Sequence, residues 1–329
     1  MTNTLILGGT GWLSGEIARR WRDGGADVTC LARGGRPAPE GTALVVGDRD
    51  AEDPYGILAS TDWDEVVDIS SRADHVRRAV AALGARAGRW TFVSSLSVYS
   101  DDVATGQDET APLHRPAGTG DVYDYGAEKV AAEEAVRTLG DRARIVRPGL
   151  VVGTGDPSDR FGYWAAAFDR AGDDPVLVPA AHGRSAQVID LGDLAEFIVG
   201  GEGTGTVNAI GDARPLAEVL ERIRALSSHR GAIVEVPDEE LLALGVAHWM
   251  GERSLPLWLP ADMPGFMTRS NVAYRAAGGR LRPLDETIGD VLADERLRGL
   301  DRPRRAGLDR GAERDVLSAL RCAGDAPAR

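Results

Sequence analysis

The first half of the chain alternates short apolar runs with longer stretches of helical character. Residues 4–7, 27–32, 44–46, 65–69, 90–94 and 143–147 are compact runs rich in Val, Ile and Leu, and they read as six strands. Helical patterns fill 16–21, 72–83 and 125–136. Strands alternating with helices predict an α/β fold, here a Rossmann-type doubly wound, mostly parallel sheet with helices on both faces. Further on, strands are expected at 185–189, 205–210 and 232–236, and helices at 216–227, at 316–321 and from 159 onward. This division predicts a dinucleotide-binding domain of residues 1–150 plus about 185–210, and a smaller substrate-binding domain of about 151–184 and 211–295. Residues 296–315 are rich in Arg and Asp with little apolar periodicity, so 296–329 reads as a polar, solvated linker ending in a short helix.

The junctions between these elements carry the candidate chemistry. Gly8-Gly9-Thr10-Gly11-Trp12-Leu13-Ser14-Gly15 stands between the first strand and the first helix. Glycines there allow a tight turn and let the backbone approach a pyrophosphate, while the helix N-terminus offers free N–H groups and partial positive charge. The second strand ends at Ala32, where an acidic residue would take an adenosine 2′-hydroxyl; Arg33 follows instead, with Arg36 close by. Guanidinium groups suit a 2′-phosphate, which favours NADP(H) and leaves NAD(H) as the second choice. Asp48 and Arg49, past the third strand, are candidates for the adenine side. The fifth strand runs into Ser94-Ser95-Leu96-Ser97-Val98-Tyr99, beyond the carboxyl end where open parallel sheets bind ligands. A hydroxyl there can donate to a substrate oxygen, or it can cap its own backbone. A long polar loop, 101–122, comes next.

Tyr125 and Lys129 lie four residues apart on one face of the following helix. Such a pair also occurs on ordinary surface helices. Its chemistry is specific all the same: a nearby ammonium favours the phenolate, and a phenol tuned toward neutral pH can exchange a proton with an alcohol or carbonyl oxygen.

Composition narrows the classes. The net charge of -13 argues against a nucleic-acid surface. Cys30 and Cys322 form no disulfide framework, the five histidines show no ligand spacing, and no metal is expected. No run of about 18 apolar residues indicates a membrane span. The first strand begins by Thr4, leaving no room for a signal peptide, so a cytoplasmic setting is expected.

In the second half, Arg160 is a candidate for an anionic substrate group, and Tyr163 and Trp164 are candidates for the wall of an apolar or sugar-stacking pocket. The same aromatics also suit the core of the small domain. Residues 248–250, 255–260 and 265–267 form an apolar, proline-broken segment that can line a pocket, fill a core or make a subunit contact.

Together these pieces resemble the extended short-chain dehydrogenase/reductase family, and most closely its epimerase/dehydratase-like reductases. The resemblance covers residues 1 to about 210 and rests on 8–13, 93–99, 125–129, Arg147-Pro148-Gly149, 187–194 and 206–208. It implies that Tyr125 is the acid/base, that Lys129 lowers its pKa and holds the nicotinamide ribose, and that Ser95 orients the substrate oxygen. Ser97 is carried along as a substrate contact, and Thr10, Trp12, Leu13 and Pro148 as cofactor contacts. A homodimer is common in such proteins. The chain departs from the pattern at Ser14, which stands where a third glycine is usual, and at 150–156, where an aromatic-Asn element is missing.

The reading that follows is an NAD(P)-dependent oxidoreductase acting on a small-molecule carbonyl or alcohol. The alternatives are a sugar-nucleotide epimerase or dehydratase with tightly held NAD, and a nucleotide-binding regulator without catalysis.

Overall fold

The computed structural model describes residues 2–201 and 203–324. The chain forms two compact units.

The first unit comprises Met1–Val151, Gln187–Asp212 and Thr268–Leu281. Among its described residues is a seven-stranded parallel sheet. Its strands are β1 (Asn3–Leu7), β2 (Asp27–Ala32), β3 (Ala43–Val46), β4 (Trp63–Asp68), β5 (Ala87–Val93), β6 (Ala143–Pro148) and a last one, Gly205–Ala209. Their order is β3-β2-β1-β4-β5-β6-(Gly205–Ala209), so the direction of winding reverses between β1 and β4.

The apolar runs are continuous because both faces of this sheet are covered. Leu5 and Leu7 point to the face packed by α2 (Ala73–Leu83) and α3 (Tyr125–Arg137), where Val76, Leu83, Ala132 and Val136 are buried. Ile6, between them, points to the other face. There it meets Ile17 and Ala18 of α1 (Trp12–Asp23) and Leu194 and Ile198 of the helix Leu191–Gly200. At about 25 cal/mol per Å² of apolar surface, each fully buried Val, Leu or Ile among these contributes roughly 1.5–3 kcal/mol.

Two sequence expectations change here. Residues 268–281 belong to the first unit, not the second, because Tyr274 is fully buried against its α1 face, with its ring 4.6 Å from that of Phe197. The first helix starts at Trp12, immediately after the glycine turn, four residues earlier than its apolar spacing predicts.

The second unit comprises Val152–Ala186, Ala213–Met267 and Arg282–Arg329. Its core helix is α4 (Arg160–Ala171), buried from Phe161 through Phe168. A two-stranded parallel pair, Val176–Pro179 with Ile233–Val236, and the helices Leu216–Leu226 and Leu284–Arg298 complete it.

The stretch expected to be a solvated linker is tied into this unit. Arg302 and Arg298 donate to the buried Asp159, Arg302 and Arg304 to the buried Glu295, and the Arg305 N–H to Asp159. Its arginines pair with Asp159, at the head of α4, and with Glu295, partners that composition alone does not reveal. The last helix is also longer than expected, Arg310–Gly324, and its Glu313 is buried against Arg170. The part of the C-terminal tail at 325–329 lies outside the described residues.

Candidate active site

The glycine turn follows β1 and leads straight into α1, with Gly11 as the N-cap. Gly8 has φ +89°, in the left-handed region, and no atom lies within 4 Å of where a Cβ would stand. Gly9 is needed for another reason: a Cβ there would run into the Cys30 side chain of β2. Ser14 stands where the resembling family has a third glycine. Its Oγ accepts from the Gly11 N–H at 2.9 Å and donates to the Gly8 carbonyl at 2.6 Å, so a side chain closes the turn.

Gly8, Gly11 and Ser14 form one wall of a groove of about 560 Å³ in the first unit. Arg33, Arg36 and Asp48 line it past β2 and β3, and Ser70, Ser71, Arg72 and His75 line it past β4. Among the described residues Arg33 and Arg36 have no hydrogen-bond or ion-pair partner, although most arginines of this chain are paired. Asp50 is held below the usual carboxylate range by its bond to His75, helped by Arg72 and Arg33. A cradle of N–H groups at a helix N-terminus and an extended groove fit a dinucleotide.

Not every expected cofactor contact lies at this groove. Arg49 touches it, but its guanidinium is committed. It makes a bidentate pair with buried Asp68 at 2.8 Å and also donates to the Tyr55 hydroxyl and the His75 carbonyl. It braces the groove with four of its five N–H donors. Thr10, Trp12 and Leu13 are part-exposed around the turn, Trp12 and Leu13 opening α1 between the groove residues Gly11 and Ser14, and the Leu13 side chain packs toward the α1 core. Pro148 is the buried last residue of β6, in register with Ala209, and also lies off the groove.

Past β5 the backbone makes a short 3-10 turn, Leu96–Val98. Ser95 caps it, accepting from the Ser97 N–H at 3.1 Å and donating to the Ser97 hydroxyl at 3.2 Å. Both residues are partly exposed. Helix α3 begins at Tyr125, capped by Asp124, whose side chain accepts from the Ala127 N–H. Gly126 lets this helix end approach the turn: a Cβ there would collide with the Ser97 carbonyl. Tyr125 is 41% exposed, enough to meet a substrate, whereas Lys129 is buried at 2%.

The Lys129 ammonium lies 5.9 Å from the Tyr125 ring centre and 4.7 Å from that of Phe92. It donates to the carbonyls of Ser70 at 2.8 Å, Val93 at 2.7 Å and Ile69 at 3.4 Å. Burial pulls its pKa down to about 7, against the pull of Asp68 and Glu133 in the other direction. Carbonyls accept only, so this nest favours the protonated form.

A buried polar network lies beneath, built from residues far apart in the chain. Arg147 is paired with Glu133 through both carboxylate oxygens at 2.8 and 2.6 Å and donates to the Tyr99 hydroxyl, which donates to Asn208. Ser94 also donates to Glu133 at 2.6 Å, so the first serine after β5 is structural. Glu128 was missed as well. It caps α2 through the Ala73 N–H at 2.6 Å and joins the two helices at the groove end. The signal available was its helical spacing from Tyr125.

In the second unit, Tyr163 and Trp164 are not pocket walls. They are 1% and 0% exposed, their rings 4.9 Å apart, and the Trp164 indole donates to the Pro256 carbonyl. Burial pushes the Tyr163 phenol far up. Arg160 is part-exposed at the first position of α4, and its guanidinium lies 4.9 Å over the Trp249 ring. The apolar segment splits: Leu255, Leu257 and Trp258 are core, while Trp249, Met250 and Phe266 stay at least partly exposed.

The sheet order and the glycine-cradled groove define a Rossmann-type, dinucleotide-dependent enzyme. A model of the NAD dependent epimerase/dehydratase family matches residues 4–199, and the chain belongs to that family. It is similar to 2′-dehydrokanamycin reductase of Streptomyces kanamyceticus, 28% identical over 295 residues, which span 84% of this chain and 81% of that one. It is also similar to dTDP-6-deoxy-L-talose 4-dehydrogenase (NAD(P)(+)) of Kitasatospora kifunensis, 29% identical over 50% of this chain and 58% of that one. Among solved structures, UDP-glucose 4-epimerase of Thermus thermophilus, in complex with NAD, shares the fold. Its TM-score is 0.64 at 16% identity, covering 90% of this chain and 99% of that one. The chain is thus an NAD(P)-dependent oxidoreductase that moves a hydride between nicotinamide and a small-molecule carbonyl or alcohol. Among the described residues no helix is long and apolar enough to cross a membrane.

Proposed function

We propose that the protein is an NADPH-dependent reductase that converts a ketone on a small hydroxylated ring, a keto-sugar or cyclitol, to the alcohol. The observation that carries this reading is the part-exposed Tyr125 above the buried Lys129 ammonium, with Gly126 holding that helix end against the serine turn. When bound, the nicotinamide supplies the hydride. Ser95 turns its one O–H from the Ser97 hydroxyl to the ketone oxygen, and Tyr125 gives that oxygen its proton. Lys129 stabilises the phenolate left behind and holds the ends of β4 and β5 together. The names of the two curated relatives, one a reductase and one a sugar 4-dehydrogenase, support a ring-borne oxygen as the reacting group.

The preference for NADPH is supported by Arg33 and Arg36 on the groove wall, neither held in a salt bridge among the described residues. Dehydration would call for a further acid/base to eliminate water. The turn after β5 offers hydroxyls and no carboxylate. Beyond it, Asp101 is engaged by the Val103 and Ala104 N–H groups and by Gln107, and Asp102 by Arg269. This chemistry supports reduction over elimination.

The test uses NADPH deuterated at C4 with a panel of keto-sugars. The label is expected on the carbinol carbon of the product. Tyr125→Phe is expected to lower kcat by about 10²–10⁴-fold and Ser95→Ala by a smaller factor, with NADPH affinity unchanged. Full turnover in Tyr125→Phe, or a product formed with no net oxidation of NADPH, would overturn the reading.

A further inference from the structure

Arg269 joins the first unit with the returning segment Thr268–Leu281, and its side chain is buried there. A buried guanidinium needs partners for its charge and its N–H donors. Arg269 finds them on the loop that follows the serine turn. It donates to the Gln107 side-chain carbonyl, to the Asp101 carbonyl and, at 3.1 Å, to the Asp102 carboxylate. The backbone on either side of it is tied to the same loop. The Thr268 carbonyl accepts from the Gly106 N–H and the Ser270 N–H donates to the Gln107 carbonyl, both at 2.8 Å. The buried Gln187 fixes the Arg269 backbone, accepting from its N–H at 3.0 Å and donating to its carbonyl at 2.7 Å. The guanidinium also lies 4.4 Å over the ring of Tyr99.

Tyr99 links this clamp to the candidate site. Its N–H donates to the Leu96 carbonyl at 3.2 Å and closes the turn that Ser95 opens, and it pairs with Leu113 across the base of the loop. One residue on, the His114 N–H donates to the Val98 carbonyl, and the His114 ring lies 3.0 Å from where a Cβ on Gly126 would stand, next to Tyr125. The turn has little of its own to fix it, since the bonds of the Ser95 hydroxyl, at 3.1 and 3.2 Å, stay within it.

We propose that Arg269 is a positioning residue for the reduction. It acts through Tyr99 and the 101–113 loop, which hold Ser95 in line with Tyr125 so that both reach one ketone oxygen. The proposal rests on the reductase reading and adds the residue that aligns its site. Alignment of this kind matters because a misplacement of about 1 Å costs on the order of 100-fold in rate.

The experiment is a double-mutant cycle on kcat with a keto-sugar and NADPH, comparing wild type, Arg269→Met, Ser95→Ala and the double variant. Arg269→Met is expected to lower kcat about 10–100-fold with NADPH affinity unchanged. In the Ser95→Ala background the same substitution is expected to cost about threefold or less, because the hydroxyl it aligns is gone. An arginine that merely stabilises the fold would act equally in both backgrounds. Arg269→Lys keeps a charge over Tyr99 without the fork of donors, and is expected to recover part of the loss. If Arg269→Met does not fold, the cycle is run with Arg269→Lys. Equal losses in the two backgrounds, an Arg269 variant as fast as wild type, or a Ser95→Ala variant as fast as wild type would overturn the proposal and leave the reductase standing. If Tyr125→Phe turns over at the wild-type rate, the reductase reading is what fails.

Discussion

The Lys129 ammonium sits 5.9 Å from the centre of the Tyr125 ring while donating to the carbonyls of Ile69, Ser70 and Val93. One buried charge therefore joins the ends of two adjacent central strands and faces the candidate proton donor. Its pKa is about 7 in the folded chain, against about 10.4 when unfolded. Between those values the unfolded chain binds more protons, so this group makes stability rise with pH. The cost of burying the ammonium is fully present below about pH 7 and fades toward pH 10. Urea denaturation of wild type and Lys129→Met at about pH 6 and pH 9.5 isolates it. The wild-type-minus-variant difference in unfolding free energy is expected to grow with pH. A difference that stays constant would mean that Lys129 does not titrate in this window.

Gly126 predicts an effect with an unusual sign. Alanine normally stabilises a helix over glycine by about 1 kcal/mol. At Gly126 the added methyl meets the Ser97 carbonyl and the His114 ring, and backbone cannot yield as a flexible side chain can. Gly126→Ala is expected to destabilise by about 1–3 kcal/mol and to lower kcat by displacing Tyr125 from the serine turn. Gly289→Ala is the control. It sits on an exposed helix face with nothing within 4 Å of the new methyl, and is expected to stabilise by about 0.5–1 kcal/mol. Melting temperatures of the two variants shifting in the same direction would contradict this packing.

The groove arginines predict cofactor choice. Arg33→Asp is expected to weaken NADPH about tenfold or more and to leave NADH unchanged or improved, because the carboxylate repels a 2′-phosphate and accepts from a 2′-hydroxyl. Fluorescence titration with each nucleotide reads this directly. An unchanged ratio of the two affinities would remove Arg33 from the cofactor site.

The arginine clamp on α4 predicts a stability loss far from the candidate site. Arg302→Met takes one of several donors from the buried Asp159 and Glu295, which keep Arg298, Arg304 and the Arg305 N–H, and is expected to cost about 1–3 kcal/mol. Denaturation together with limited proteolysis is expected to show early cleavage within 296–309. A variant as stable and as protease-resistant as wild type would mean that the arm is held by packing alone.

Much of this was legible in the chain. The β1–glycine turn–helix junction, the strand runs and the Tyr125–Lys129 spacing all depend on local patterns, and local patterns survive in sequence. What failed depended on distant partners. Arg49 does line the groove, but its pairing with Asp68, 19 positions on, is invisible in the sequence. Tyr163 and Trp164 are adjacent on a helix buried all round, and the sequence does not separate a pocket wall from a core there. The arginines of 296–305 match a solvated linker in composition, and only their buried partners Asp159 and Glu295 reveal a clamp. Residues 268–281 carry no strong pattern beyond a short helix, Val272–Ala276, and return to the first unit through Tyr274.

The central claim is that the enzyme reduces its substrate and exchanges NADPH on every turnover. The most direct measurement is to denature freshly purified protein, identify any nucleotide released, and then titrate the nucleotide-free protein with NADPH and NADH. The account predicts no stoichiometric retained NAD and a tighter, reversible affinity for NADPH. One equivalent of NAD released per chain would contradict it, because an enzyme that keeps its cofactor regenerates it within each turnover, as an epimerase or dehydratase does.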